Sequence, residues 1–295
     1  MKIEQISITN FKVFKNAVFN DLGNMTVLVG PNGSGKSTFF DVLGFLKDAL
    51  FHNVNAALSK RGGFQEVISR GEEGNIDFEI KFREASGKLA TYFLSIGLDS
   101  NRPVVAREIL KFRRGSGGQP WHFLDFSKGE GEAITNEENY DHIQFSEVQR
   151  EKQTLSSPDT LAIKGLGQFK KFKVVNEFRQ MIEQWHVSDF HISDARKNQD
   201  DGYAEHLSEN GENLPLVTKY IYENHPDLFQ TILEKMEARV PGISKVEAKP
   251  MEDGRLILKF QDGSFKDPFV ARYVSDGTIK MFAYLVLLHD PKPHN

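Results

Sequence analysis

GPNGSGKST, residues 30–38, packs three glycines, a lysine and adjoining hydroxyls into nine positions near the start of the chain. It fits G-x-x-x-x-G-K-[ST] at Gly30, Gly35, Lys36 and Ser37. Such a loop turns backbone N–H groups inward around phosphate oxygens, and residues without a Cβ accept the backbone angles this requires. Gly30, Pro31, Asn32, Gly33, Ser34, Gly35, Lys36, Ser37 and Thr38 are therefore the expected nucleotide-binding loop. Lys36 is placed for the β and γ phosphates and Ser37 for Mg²⁺. Thr38, one step on, is placed for the α-phosphate.

The flanks fit that reading. MTVLVG (25–30) is a continuous apolar run, expected as a strand buried on both faces. From Lys36 the period changes, and Phe39, Phe40, Leu43, Leu46, Ala49 and Leu50 recur at helical spacing. A helix opening at the lysine points its positive dipole end at the same anion.

Further out, Ile3 to Phe14 reads as a strand, and 76–82, 91–98 and 105–112 alternate as sheet strands. WHFLDFSKGEGEAITN (121–136) reads as a hairpin. A helix is expected over 169–185, with Phe169, Phe172, Val175, Phe178, Ile182 and Trp185 on its apolar face. A polar loop follows, then helices at 214–224 and 226–240, strands at 244–249 and 255–260, and a last helix from Ser275. This order suggests one discontinuous α/β domain. Its nucleotide-binding lobe is 1–112 plus 243–295, with a variable region at 113–160 and an inserted helical lobe at 161–242.

Composition sets limits. The chain has 295 residues, 39% apolar and 26% charged, ordinary values for a globular protein. With no cysteine, thiolate catalysis, disulfides and Cys-ligated metals are excluded, which fits a reducing cytoplasm. No apolar run approaches the ~18 residues of a membrane span. The net charge of −4 argues against a generally basic nucleic-acid binder, although a local patch is not excluded by a sum. Lys170, Lys171 and Lys173 beside Phe169 and Phe172 form one such basic-aromatic cluster. On a helix, its phenylalanines are expected to face the core and its lysines the water.

One loop does not choose a function. ATPases in which two heads clasp ATP need a second motif, near L-S-G-G-Q, at a helix start. GSGGQ (115–119) matches by letters, but strand-like WHFLDF follows, so a loop is expected there. Ser275-Asp276-Gly277 precedes the apolar helix IKMFAYLVLL, with serine as a good N-cap.

The opening NFKVFKNAVFNDLGNMTVLVGPNGSGKSTFFDVLGFLKDAL resembles the head of SMC-like or RecF-like ABC ATPases. RGGFQEVISRG, GENLPLVTKYIYENHPDLFQTILEKMEARVPGI and VSDGTIKMFAYLVLLHDP resemble, in order, predicted ATPases related to the OLD family. The resemblance implies a P-loop NTPase fold of the ABC-head type, with ATP and Mg²⁺ as cofactors and ATPase activity. It makes Ser275, Asp276 and Gly277 the signature that touches ATP held by a second copy, and places Lys12 near the nucleotide. Gln65 and Gln153 are weaker candidates for a metal-touching glutamine. It also implies a homodimer closed by ATP, a setting in DNA maintenance or anti-phage defence, and a nuclease or other effector as partner. DNA is a possible partner on the same ground, and no membrane is implied.

In that family an acidic Walker B strand follows the last helix, and here the sequence reaches Asn295 first. The acidic pieces LDF (124–126) and VSDF (187–190) do not replace it, so binding of ATP with poor hydrolysis is expected. A scaffold that binds nucleotide without turning it over is the alternative.

Overall fold

The computed structural model describes residues 1–84, 87–112, 121–135, 148–185, 190 and 192–292. Alternation at period two builds the sheet of the first unit, Met1–Trp185. Its strands are β1 (Lys2–Phe11), β2 (Phe14–Phe19), β3 (Ile76–Arg83), β4 (Leu89–Asp99), β5 (Arg102–Phe112), β6 (Trp121–Ser127), β7 (Glu130–Ile134) and β8 (Arg150–Thr154). They lie in the order β2-β1-β3-β4-β5-β6-β7-β8, and every pair is antiparallel. The unit's helices are α1 (Lys36–Phe51), α2 (Val54–Ser59), α3 (Phe64–Val67), α4 (Ala162–Leu166) and α5 (Lys173–Glu183).

The register explains which side chains form the core. Ile8, Phe78 and Leu94 sit opposite one another across β1, β3 and β4, as do Ile6, Ile80 and Tyr92. All six are buried. Phe45 of α1 meets Phe11 and Phe78 at ring separations of 5.7 and 5.6 Å, and Phe178 of α5 stacks on Phe82 at 4.6 Å. Each such buried ring contributes on the order of 1.5–3 kcal/mol.

One carboxylate is inside this core. Glu108 of β5 accepts hydrogen bonds from the Tyr92 hydroxyl and the Ile163 N–H, each at 3.0 Å, and from the Ala162 N–H. It therefore ties β4 and β5 to the first turn of α4. Burial pushes its pKa up to about 7, against the lowering pull of those donors.

The second unit, His186–Asn295, contains α6 (Ile192–Ala195), β9 (Gln199–Asp200), α7 (Leu214–Asn224), α8 (Pro226–Arg239), β10 (Ile243–Pro250), β11 (Arg255–Asp262), β12 (Phe269–Val270) and α9 (Asp276–Leu288). Proline stands in the first positions of α7 and α8, where its missing N–H costs no helix bond. Ile221, Ile232, Met236, Val246, Leu258, Phe260, Phe282 and Val286 form this unit's core. The helices of the expected 161–242 lobe are divided: α4 and α5 pack within the first unit, α7 and α8 within the second. Among the described residues no helix is long and apolar enough to cross a membrane.

The α/β architecture is the expected one, with three local corrections. MTVLVG is not a buried strand. Residues 25–30 pair with no strand among the described residues, and Met25, Val27 and Val29 are 85%, 68% and 90% exposed. Leu28 alone of the four large apolar residues packs against the core. A run apolar on both faces expects neighbours on both edges, and among the described residues no strand supplies them.

The helix expected from Phe169 begins at Lys173, and Phe169 lies in the preceding turn. Phe14 opens a second strand, because the chain reverses at Lys12, whose φ of 50° is left-handed. GSGGQ at 115–119 and most of VSDF at 187–190 lie outside the described residues. LDF at 124–126 is part of β6, where Asp125 pairs with Arg107 at 2.6 Å.

Candidate functional site

In the first unit, the glycine-rich loop runs directly into α1. Gly33 and Gly35 have φ of 82° and 93°, so both positions require glycine-like freedom. A Cβ on Gly35 would lie 2.5 Å from the Phe14 ring, and one on Gly30 would lie 2.7 Å from Ser34 Oγ. The loop is thus closely packed at its two ends and open at Gly33, where an added Cβ meets nothing within 4 Å.

Lys36 folds back over the loop. Its ammonium donates to the carbonyls of Gly30 and Pro31, each at 2.7 Å. This holds three donors of a cation inside the loop's curve, beside the exposed Ser37 hydroxyl. Gly35 is the N-cap of α1 and supplies no capping side chain, and α1 carries no acidic residue in its first turn. The N–H groups at this end are therefore left for an external acceptor. Cation, helix dipole and free amides converge, which is the donor set a polyphosphate needs. A single hydroxyl at Ser37 suits a hard cation held chiefly by phosphate oxygens and water.

Lys12 sits at the β1–β2 turn, next to Val13, whose Cγ2 would lie 3.1 Å from a Cβ on Gly35. The turn therefore lies against the loop. The Lys12 ammonium stands 2.5 Å from Asp41 Oδ2, a contact of charge without hydrogen-bond geometry. Sequence reading did not single out Asp41 or its second partner, Arg61. Arg61 Nε bonds Asp41 at 2.7 Å, Nη1 bonds Asp48 at 2.8 Å and the Ala57 carbonyl at 2.9 Å, and the guanidinium lies over the Phe45 ring. Gly44 leaves the room it occupies. The available signal was Asp41 at the fourth position after Ser37, about one helical turn on.

In the second unit, Ser275 caps α9. Its Oγ accepts from the Thr278 N–H at 3.2 Å and pairs with the Thr278 hydroxyl at 2.8 Å. Asp276 occupies the first turn, and Gly277 is uncrowded. Arg196, just after α6, stands 2.6 Å from the Asp276 carboxylate and also donates to the Val274 carbonyl. It braces the turn from a loop that looks unremarkably polar in sequence. Gln65 lies in α3 and Gln153 in β8.

Comparison with known proteins places the chain in a family. A family model described as "AAA domain, putative AbiEii toxin, Type IV TA system" matches residues 25–294, from just before the loop to beyond α9. The chain is also similar to the chromosome partition protein Smc of Thermoplasma acidophilum, with 32% identity over 87 residues. That match covers 29% of this chain and 7% of the length of the Smc protein. With nine-tenths of its length matched, the chain belongs to the AAA domain family of the AbiEii type.

Proposed function

We propose that the chain is an ATP-binding head that acts as a switch. Mg²⁺-ATP is held by residues 30–38, and a second copy closes on it through Ser275, Asp276 and Gly277. The observation that carries this reading is the loop itself: two left-handed glycines, a lysine over the loop carbonyls and an uncapped helix N-terminus at one point. The OLD-like resemblance supports a setting in DNA maintenance or anti-phage defence, with a nuclease or other effector reading the closed state.

Titration calorimetry with ATP-γ-S and Mg²⁺ tests the site. Lys36→Ala is expected to weaken binding roughly thirtyfold or more, since it removes a charge-assisted contact. Light scattering with and without ATP-γ-S tests the switch, and a monomer under both conditions would refute it.

A specific feature favours slow turnover by this chain. Among the described residues the Ser37 hydroxyl bonds no carboxylate, and Asp41, the first carboxylate after the loop, is engaged by Lys12 and Arg61. Water attack on a phosphoryl group needs an orienting residue. A nucleotide-holding scaffold is therefore the second reading, and phosphate release at ordinary ATPase rates would exclude it.

A further inference from the structure

In the cluster QFKKFK (168–173) the lysines face water and Phe172 the core, as the spacing predicts, and Phe169 does not. Residues 167–172 form the turn between α4 and α5. Phe172 is buried and anchors that turn, whereas Phe169 stands out from it, 57% exposed. The turn is held in place by the Phe169 N–H on the Leu166 carbonyl and the Phe172 N–H on the Phe169 carbonyl, at 3.0 and 3.1 Å. An apolar ring is thus presented to solvent from a hydrogen-bonded turn, nearly perpendicular to the Phe172 ring at 6.4 Å between centroids.

The charges around this ring are unusual in their balance. Lys170, Lys171 and Lys173 are all exposed. Lys171 pairs with Glu151 at 2.7 Å, which leaves its neighbours without a carboxylate: the side chains of Lys170 and Lys173 make no ion pair or hydrogen bond among the described residues. They also gather where a helix disfavours cations. Lys173 is the first residue of α5, no acidic side chain occupies that first turn, and the positive dipole end adds to the repulsion. Lys170 and Lys173 thus bring uncompensated positive charge to a helix N-terminus, beside an exposed phenylalanine. A ligand that supplies negative charge and a flat face complements both features together.

We propose that this turn is a binding platform for single-stranded nucleic acid. Lys170 and Lys173 contact backbone phosphates and Phe169 stacks on an unpaired base, the combination by which strands are held without sequence preference. An acidic polypeptide matches the charge and leaves the ring unused. A duplex matches the charge and keeps its bases stacked internally. The exposed ring favours the single strand over both.

Fluorescence anisotropy with a labelled oligothymidylate of about twenty nucleotides tests this, using the whole chain at about 50 mM and about 200 mM salt. Binding is expected to be salt-dependent and several-fold tighter than to a duplex of the same length. Phe169→Ala is expected to weaken it at least about fivefold, in line with the stacking energy that one aromatic platform supplies. Lys170→Ala with Lys173→Ala should lower the log–log salt slope by about 1.4, at ~0.7 for each phosphate no longer neutralised. All three side chains are exposed, and thermal melts of the variants check that folding is intact. No binding by the unmodified chain, affinity unchanged by both sets of substitutions, or equal binding of poly-glutamate would each overturn the proposal.

Discussion

Arg61 and Lys12 divide one carboxylate between them: Arg61 Nε bonds Asp41 Oδ1 at 2.7 Å while Lys12 approaches Oδ2. Asp41 is on α1, Arg61 just beyond α2 and Lys12 at the β1–β2 turn, so one side chain joins three elements beside the loop. Arg61 is only 9% exposed and serves Asp48 and the Ala57 carbonyl as well. Arg61→Ala is expected to cost about 2 kcal/mol, because it removes a nearly buried guanidinium shared by two partly buried carboxylates and leaves each with a single lysine, Lys12 or Lys60. Urea unfolding measures this. Arg61→Lys should restore less than half, as a point charge cannot reach all of these acceptors at once.

Glu108 should make stability depend on pH. Its pKa is raised by burial from 4.5 to about 7, so the folded chain holds this proton more tightly than the unfolded one. The resulting stabilisation is complete below about pH 4.5 and is lost as pH rises through about 7, on the order of 3 kcal/mol in all. Glu108→Gln removes that dependence. Between about pH 5 and about pH 8 the unmodified chain should lose more unfolding free energy than the variant, and parallel curves would contradict the assignment.

Ser275 has a structural role that is separable from its proposed contact with ATP. Ser275→Ala removes the cap of α9 and is expected to cost about 1 kcal/mol. Ser275→Asp keeps a capping acceptor and adds negative charge where a polyphosphate would approach. It should leave the thermal midpoint nearly unchanged and abolish association driven by ATP-γ-S. If both substitutions lower stability and association in proportion, Ser275 acts only as a cap.

The exposed apolar residues before the loop make a sharp prediction. Val27 and Val29 bury little, so replacing both by Thr should change stability by less than about 0.5 kcal/mol in this chain. In a strand buried on both faces the same pair would cost several times as much. Denaturant titration separates the two cases.

Much of this molecule was legible in its sequence. The strands of the first sheet, though not their antiparallel pairing, showed because one face of each is buried, and period two then marks Ile76, Phe78, Ile80 and Phe82 without ambiguity. The loop and α1 showed because glycine, lysine and helical spacing coincide there. The same logic failed at 25–30, since an apolar run states what a segment can bury and not whether neighbours are present to bury it. It failed at Phe169 because helical spacing alone does not mark where a turn ends and a helix begins, here four residues later at Lys173. Arg61 and Arg196 were hidden for another reason: each acts across a gap in sequence, and an isolated arginine carries no period.

The order of the first sheet has a consequence for how the chain acquires its shape. From β4 to β8 each strand pairs with the one made just before it, so these closures are local in sequence and little chain entropy is lost per step. Emerging from the ribosome, this half can zip up strand by strand before the residues of α9 have been synthesised.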